Sequence, residues 1–182
     1  IRRVNENEIT TRIPEVKIRE NGKITYVHTK EPILVSNGNI VTYTIRVYNE
    51  GEVDGYAKQI KDDIPEGLEF LPENDTNKEY RWIMLDEEGK ETTDVTKAKY
   101  ITTDYLSKEQ ETTSGGNLIK AFSQSEMESP DYKEVKAAFK VVAPSTHPGI
   151  ITNTAEISDD SNEEGNPVID IDSTPNNNNE KE

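Results

Sequence analysis

Between Gly38 and Phe70 the chain alternates apolar and polar residues with a period of two, and that alternation limits the fold more than any other feature. Val41, Tyr43, Ile45 and Val47 share one face of a strand, and Thr42, Thr44 and Arg46 share the other. Glu50-Gly51-Glu52-Val53-Asp54-Gly55 supplies a polar turn. A second strand then places Tyr56, Ile60, Asp62 and Ile64 on one face before Pro65 ends it. An aspartate on the apolar face of that strand is the anomaly in the pattern.

The same signal recurs along the chain. Val16 to Arg19 and Lys23 to His28, joined through Asn21-Gly22, read as a hairpin with a tight primed turn. Pro32 to Val35 reads as a short strand, Leu71 to Lys78 as loop, and Tyr80 to Leu85 as a strand with Trp82 as a core anchor. Glu91 to Thr103 adds one or two strands, and Gly115-Gly116 marks the most mobile loop. In Lys133 to Val142, Val135, Ala137, Phe139 and Val141 face inward while Lys136, Ala138 and Lys140 face out. Ile150 to Ser158 returns as a strand with Ile151, Asn153, Ala155 and Ile157 on one face. Asp159 to Asn166 follows as an acidic loop, Pro167 to Asp172 as a last short strand, and 173–182 as a disordered tail. With about ten strands and no amphipathic helix, the expected fold is all-β, an immunoglobulin-like antiparallel two-sheet sandwich. It spans residues 1–172 as one domain, with an inserted β subregion at about 74–124. The expected core is Val41, Tyr43, Ile45, Val47, Ile60, Val135, Phe139, Val141, Ile151, Ala155 and Ile157.

Only 31% of the 182 residues are hydrophobic, a content that a sandwich tolerates because each strand buries only one face. The net charge of −15 disfavours nucleic acid and anionic membranes as partners. No apolar run reaches the roughly twenty residues of a membrane span. Cysteine is absent, which removes disulfides, thiol catalysis and thiolate metal sites. The start, Ile1-Arg2-Arg3, reads as the edge of an excised fragment. His28 and His147 stand alone, Asp62 and Asp63 point to opposite faces of their strand, and no nucleophile-elbow or phosphate-loop motif occurs. The chain is therefore read as non-enzymatic. Asp159, Asp160, Asn162, Glu163 and Glu164, or Asp170, Asp172 and Ser173, offer clustered oxygen ligands suited to Ca²⁺. Neither run fits an EF-hand loop, and a solvated acidic linker is the plainer reading. No other cofactor is expected.

Three fragments in order, Val41-Thr42-Tyr43-Thr44-Ile45, Asn49-Glu50-Gly51 and Asp62-Asp63-Ile64-Pro65-Glu66-Gly67-Leu68, resemble the conserved-repeat domain of large Gram-positive surface proteins. Ile151 to Ser158 is similar to the family's downstream segment, and Asp170 to Asn177 to its closing acidic segment. That resemblance implies an extracellular, wall-associated structural module, a stalk or spacer whose neighbours are domains of the same polypeptide. The alternative it leaves open is an adhesin module binding host protein or glycan, with residues 74–124 as the place where specific binding would reside. It also implies relatedness to isopeptide-forming pilin and adhesin modules, in which Asp62 and Asn153 would be the acid and the amide of an internal crosslink; the plainer reading is that the two simply hydrogen-bond each other or nearby backbone. The donor lysine is left open: Lys17 alternates outward, and Lys58 and Lys120 fall on apolar faces.

Overall fold

The computed structural model describes residues 1–142 and 149–168. His147, Asp170, Asp172, most of the strand expected at Pro167 to Asp172, and the tail from residue 173 lie outside these residues.

Among the described residues, two sheets of five strands each enclose the core, and a separate hairpin forms a third, two-stranded sheet. The first sheet contains β1 (Arg3–Val4), β2 (Asn7–Glu8), β5 (Ile40–Tyr48), β7 (Leu68–Phe70) and β11 (Tyr132–Val141), in the order β2-β1-β5-β11-β7. The second contains β6 (Gly55–Asp63), β8 (Ile83–Leu85), β9 (Glu91–Thr92), β10 (Tyr100–Thr103) and β12 (Ala155–Asn162), in the order β12-β6-β10-β8-β9. The hairpin is β3 (Glu15–Ile18) with β4 (Ile24–Val27). All pairings are antiparallel, so the fold is an all-β two-sheet sandwich of immunoglobulin-like character.

The alternation in β5, β6 and β11 works as its spacing predicts. Val41 and Val47, Ile60, and Val135, Ala137, Phe139 and Val141 are all buried, and Phe139 is wholly enclosed between the rings of Tyr43 and Phe70. Tyr43, Ile45, Ile151 and Ile157 are half-buried against this core. Ala155 is exposed, contrary to expectation. It is the first residue of β12, an edge strand of the second sheet.

Residues 74–124 are not an appendage. They supply β8, β9 and β10 to the second sheet and bury Trp82, Met84, Ala98, Ile101, Leu106, Leu118 and Ile119. Pro32 to Val35 forms no strand, and Leu34 is almost fully exposed. A proline and an unburied leucine leave that segment nothing to pair with. The Asn21-Gly22 hairpin takes a wider form than the expected tight turn. Gly22 donates to the Arg19 carbonyl and sits at φ 81°, and Arg19 then bonds to Lys23, so the glycine fills the left-handed position of a bulged turn. The loop at Gly115-Gly116 is tied by the Glu111 carboxylate, which accepts from the amides of Gly115 and Asn117.

A short helix, α1 (Asp75–Glu79), stands where sequence pattern gives only loop. Five polar residues show no apolar stripe. The local signal was the cap, since the Asn74 side chain accepts from the Thr76 amide. This helix solves an edge problem. β7 pairs with β11 only from Phe139 to Val141, leaving the rest of that edge without a neighbouring strand. Asn77, 1% exposed, continues the ladder with its side-chain amide. It accepts from the Ala138 N–H at 2.8 Å and donates to the Ala138 carbonyl at 2.8 Å. The Trp82 indole N–H then donates to the Lys136 carbonyl at 2.8 Å. Ala138, which alternation points outward, is buried beneath this cover.

Replacing Asn77 by Ala strands both backbone groups of Ala138. It is expected to cost on the order of 2–4 kcal/mol. Lys78→Ala, which removes a surface pair with Glu73, is expected to change stability by less than about 0.5 kcal/mol. Urea denaturation of the two variants checks this, and equal effects would contradict the ladder role of Asn77.

Candidate functional site

Asp62 is the anomaly of the sequence, and the fold explains where it goes. In β6 it has the parity of Tyr56 and Ile60, so it points into the sandwich and is fully buried. It lies between β10 and β12, in register with Ile101 on one side and Ala155 on the other. Asp63, one residue on, is only half-buried, so the two acids do not share a site.

Asn153 approaches from the segment leading into β12. The Asp63 amide donates to the Thr154 carbonyl at 3.0 Å, fixing this segment beside β6. Two residues before Asn153, Ile151 packs onto Gly67. That glycine sits at φ 95°, and a Cβ on it would lie 2.8 Å from Ile151 Cδ1. A side chain at position 67 would be strained at that φ and would force the Ile151 side chain to shift. With Ile151 seated, the Asn153 Nδ2 donates to Asp62 Oδ1 at 2.7 Å. The structure therefore brings together the two residues that the resemblance paired.

The electrostatics of the pair are set by burial. Removal from water pushes the Asp62 carboxyl up to about 8, with the Asn153 hydrogen bond opposing and the Asp63 charge adding to the rise. Two buried oxygens of the pair, Asp62 Oδ2 and Asn153 Oδ1, have no hydrogen-bond partner among the described residues. A neutral acid and a primary amide are complementary in a two-bond ring, and one proton on Oδ2 supplies the donor that both oxygens lack. Tyr43, from the facing sheet, is the neighbour that sequence reasoning missed. Burial, and then the Asp62 carboxyl, push its phenol up to about 12. The alternation of β5 places Tyr43 inward but carries no sign of which polar group it would face.

The lysines considered as crosslink donors lie elsewhere. Lys58 shares the parity of Ile60, but the β6–β12 ladder is irregular between Ile157 and Asp160, and there Lys58 pairs with Asp159 at 2.7 Å on the surface. Lys120 pairs with Asp54 at 2.7 Å and Lys17 with Glu15 at 3.4 Å. Lys58 and Lys120 thus face solvent rather than the apolar interior assigned to them from alternation. Of the residues considered for Ca²⁺, Asp159 and Asp160 are not in a loop. β12 runs through both to Asn162, stabilised where Lys58 neutralises Asp159 across the strands. The turn begins only at Glu163. Asp170 and Asp172 lie outside the described residues. Among the described residues, no group of three or more His, Asp or Glu is placed to hold a metal ion.

Two measurements follow from this geometry. An Asp with a raised folded-state value binds its proton in the folded chain before the unfolded chain does. Its contribution is complete below the ordinary value of 3.8 and is lost as pH rises through about 8. The stability difference between wild type and Asp62→Asn should therefore fall between those pH values by about 1.4 kcal/mol per pH unit. Parallel pH profiles would refute a neutral Asp62. Separately, the intact mass of this chain should equal that of its sequence. A deficit of one ammonia, abolished in Asn153→Ala, would show that a lysine does reach the pair.

Compared with protein-family models, curated proteins and solved structures, the chain finds no match.

Proposed function

We propose that this chain is a non-catalytic structural module, a spacer or stalk unit of a Gram-positive surface protein, outside the cell and joined to neighbouring domains of the same polypeptide. The observation that carries this reading is the hydrogen bond between buried Asp62 and half-buried Asn153, which pins the segment entering β12 to β6. The resemblance of the strand segments to conserved-repeat surface domains sets the biological context.

The arrangement of strands suits a chain under tension. β1 belongs to the first sheet and β12 to the second, so a pull between them crosses the packed core rather than peeling one sheet. β12 is held by seven register pairs with β6, loaded together when the strand is drawn along its length. The pin sits at the entry to that ladder, where separation of β12 would otherwise begin. Among the described residues no helix is long and apolar enough to cross a membrane.

The adhesin alternative draws less support from residues 74–124. Trp82 is buried, Tyr80 and Tyr105 pack on each other with centroids 4.8 Å apart, and the Lys61 ammonium covers the Tyr100 ring at 4.1 Å. These aromatics are engaged within the fold instead of forming an open stacking face.

Single-molecule pulling on a tandem array of the chain tests the proposal. It is expected to show cooperative unfolding in one step per module, at a force that drops in Asp62→Ala. A module that yields gradually, or whose unfolding force ignores Asp62, would overturn the spacer reading.

A further inference from the structure

Away from the Asp62 pair, one cleft concentrates chemistry that the spacer role does not use. It lies between the outer face of β5 and the arm preceding β3, with a volume of about 250 Å³. Five of the six arginines, Arg2, Arg3, Arg12, Arg19 and Arg46, fall in the first 46 residues of a chain whose net charge is −15. Three of them, Arg2, Arg12 and Arg46, line this cleft together with His28. The cleft is thus a local inversion of the molecule's charge.

Its hydrogen-bonding groups are unbalanced. Arg12 donates to the Thr29 carbonyl at 2.8 Å and Arg2 to the Ile9 carbonyl at 2.7 Å, and each guanidinium has further N–H groups to offer. Thr44 Oγ1 and Tyr48 OH also line the cleft. Both are buried, and neither has a hydrogen-bond partner among the described residues. Burial works against the Arg46 charge, and the neighbouring Tyr48 hydroxyl and Glu134 carboxylate outweigh it, although Tyr48 makes no hydrogen bond of good geometry. Against these donors stand Glu134, already paired with Arg46 at 2.5 Å, and, from outside the lining, Glu8, which reaches Arg2 at 3.9 Å. A ligand that fits must bring acceptors, and above all one negative charge. Glu134 sets a limit in the other direction, because a second negative charge would meet repulsion and a hydroxyl would meet an acceptor. Ile13 and Pro14 give the cleft an apolar wall. The volume is below the roughly 300 Å³ at which sites for drug-sized ligands begin, so the occupant is of single-residue size.

We propose that this cleft binds one carboxylated sugar residue, a hexuronate. Its carboxylate lies against the Arg12 and Arg2 guanidiniums, its hydroxyls meet Thr44, Tyr48 and Glu134, and its C–H face rests on Ile13 and Pro14. The site is separate from the Asp62 pair and does not depend on the spacer reading.

Titration of the isotopically labelled chain with glucuronate, followed by amide chemical shifts, tests this. Saturable shifts are expected at Thr44, Arg46 and Tyr48. Glucose, which lacks the carboxylate, and glutamate, which lacks the ring hydroxyls, should each bind at least about tenfold more weakly, and so should inorganic phosphate. Arg12→Gln should weaken glucuronate binding at least about tenfold, and Thr44→Val should weaken it while leaving the thermal midpoint in place. No binding, shifts confined to other regions, or glucose, glutamate or phosphate binding as tightly as glucuronate would overturn the assignment. So would unchanged binding in a folded Thr44→Val.

Discussion

A carboxyl group wholly enclosed between two β-sheets cannot keep its charge cheaply, and the rest of this structure is arranged around that constraint. Asp62 is fully buried, and among the described residues its carboxyl accepts from the Asn153 amide, a group with no charge to offer. Desolvation therefore dominates, and the neutral acid is the form the interior accepts. The partner that satisfies it arrives through a chain of local requirements. Gly67 opens space for Ile151, Ile151 seats the strand entry, and Asn153 then meets Asp62. A polar residue on an apolar face is here a tie between β6 and the entry to β12.

Much of this was legible in the alternation of β5, β6 and β11, because a two-residue period with large apolar side chains on one face admits few structures. Asp62 and Asn153 could be sent inward from the same periodicity. What pattern could not supply was context. Lys58 has the parity of a core residue, yet the irregular ladder beside it and the carboxylate of Asp159 draw it to the surface. Asp159 and Asp160 have loop composition, yet pairing with β6 carries the strand through them. Pro32 to Val35 has the composition of a strand but finds no neighbour. Five polar residues after Asn74 form a helix whose purpose is visible only once the unpaired edge of β11 is known.

The two faces of β5 divide the molecule's chemistry. Inward, Val41, Tyr43 and Val47 build the core and bring a phenol toward Asp62. Outward, Thr44, Arg46 and Tyr48 line the cleft, with Tyr26 of β4 packed on Tyr48 at 4.3 Å and Arg46 over Tyr132 at 4.4 Å. The inner face holds one uncharged acid in an apolar interior, and the outer face gathers cations on an acidic chain.

The central claim is the protonation state of Asp62, and its side-chain carboxyl carbon reports that state directly. Followed by nuclear magnetic resonance across pH, this carbon should show the shift of a neutral acid at pH 6 and titrate near 8. A carboxylate shift at pH 6, with a midpoint at or below the ordinary value of 3.8, would contradict the account.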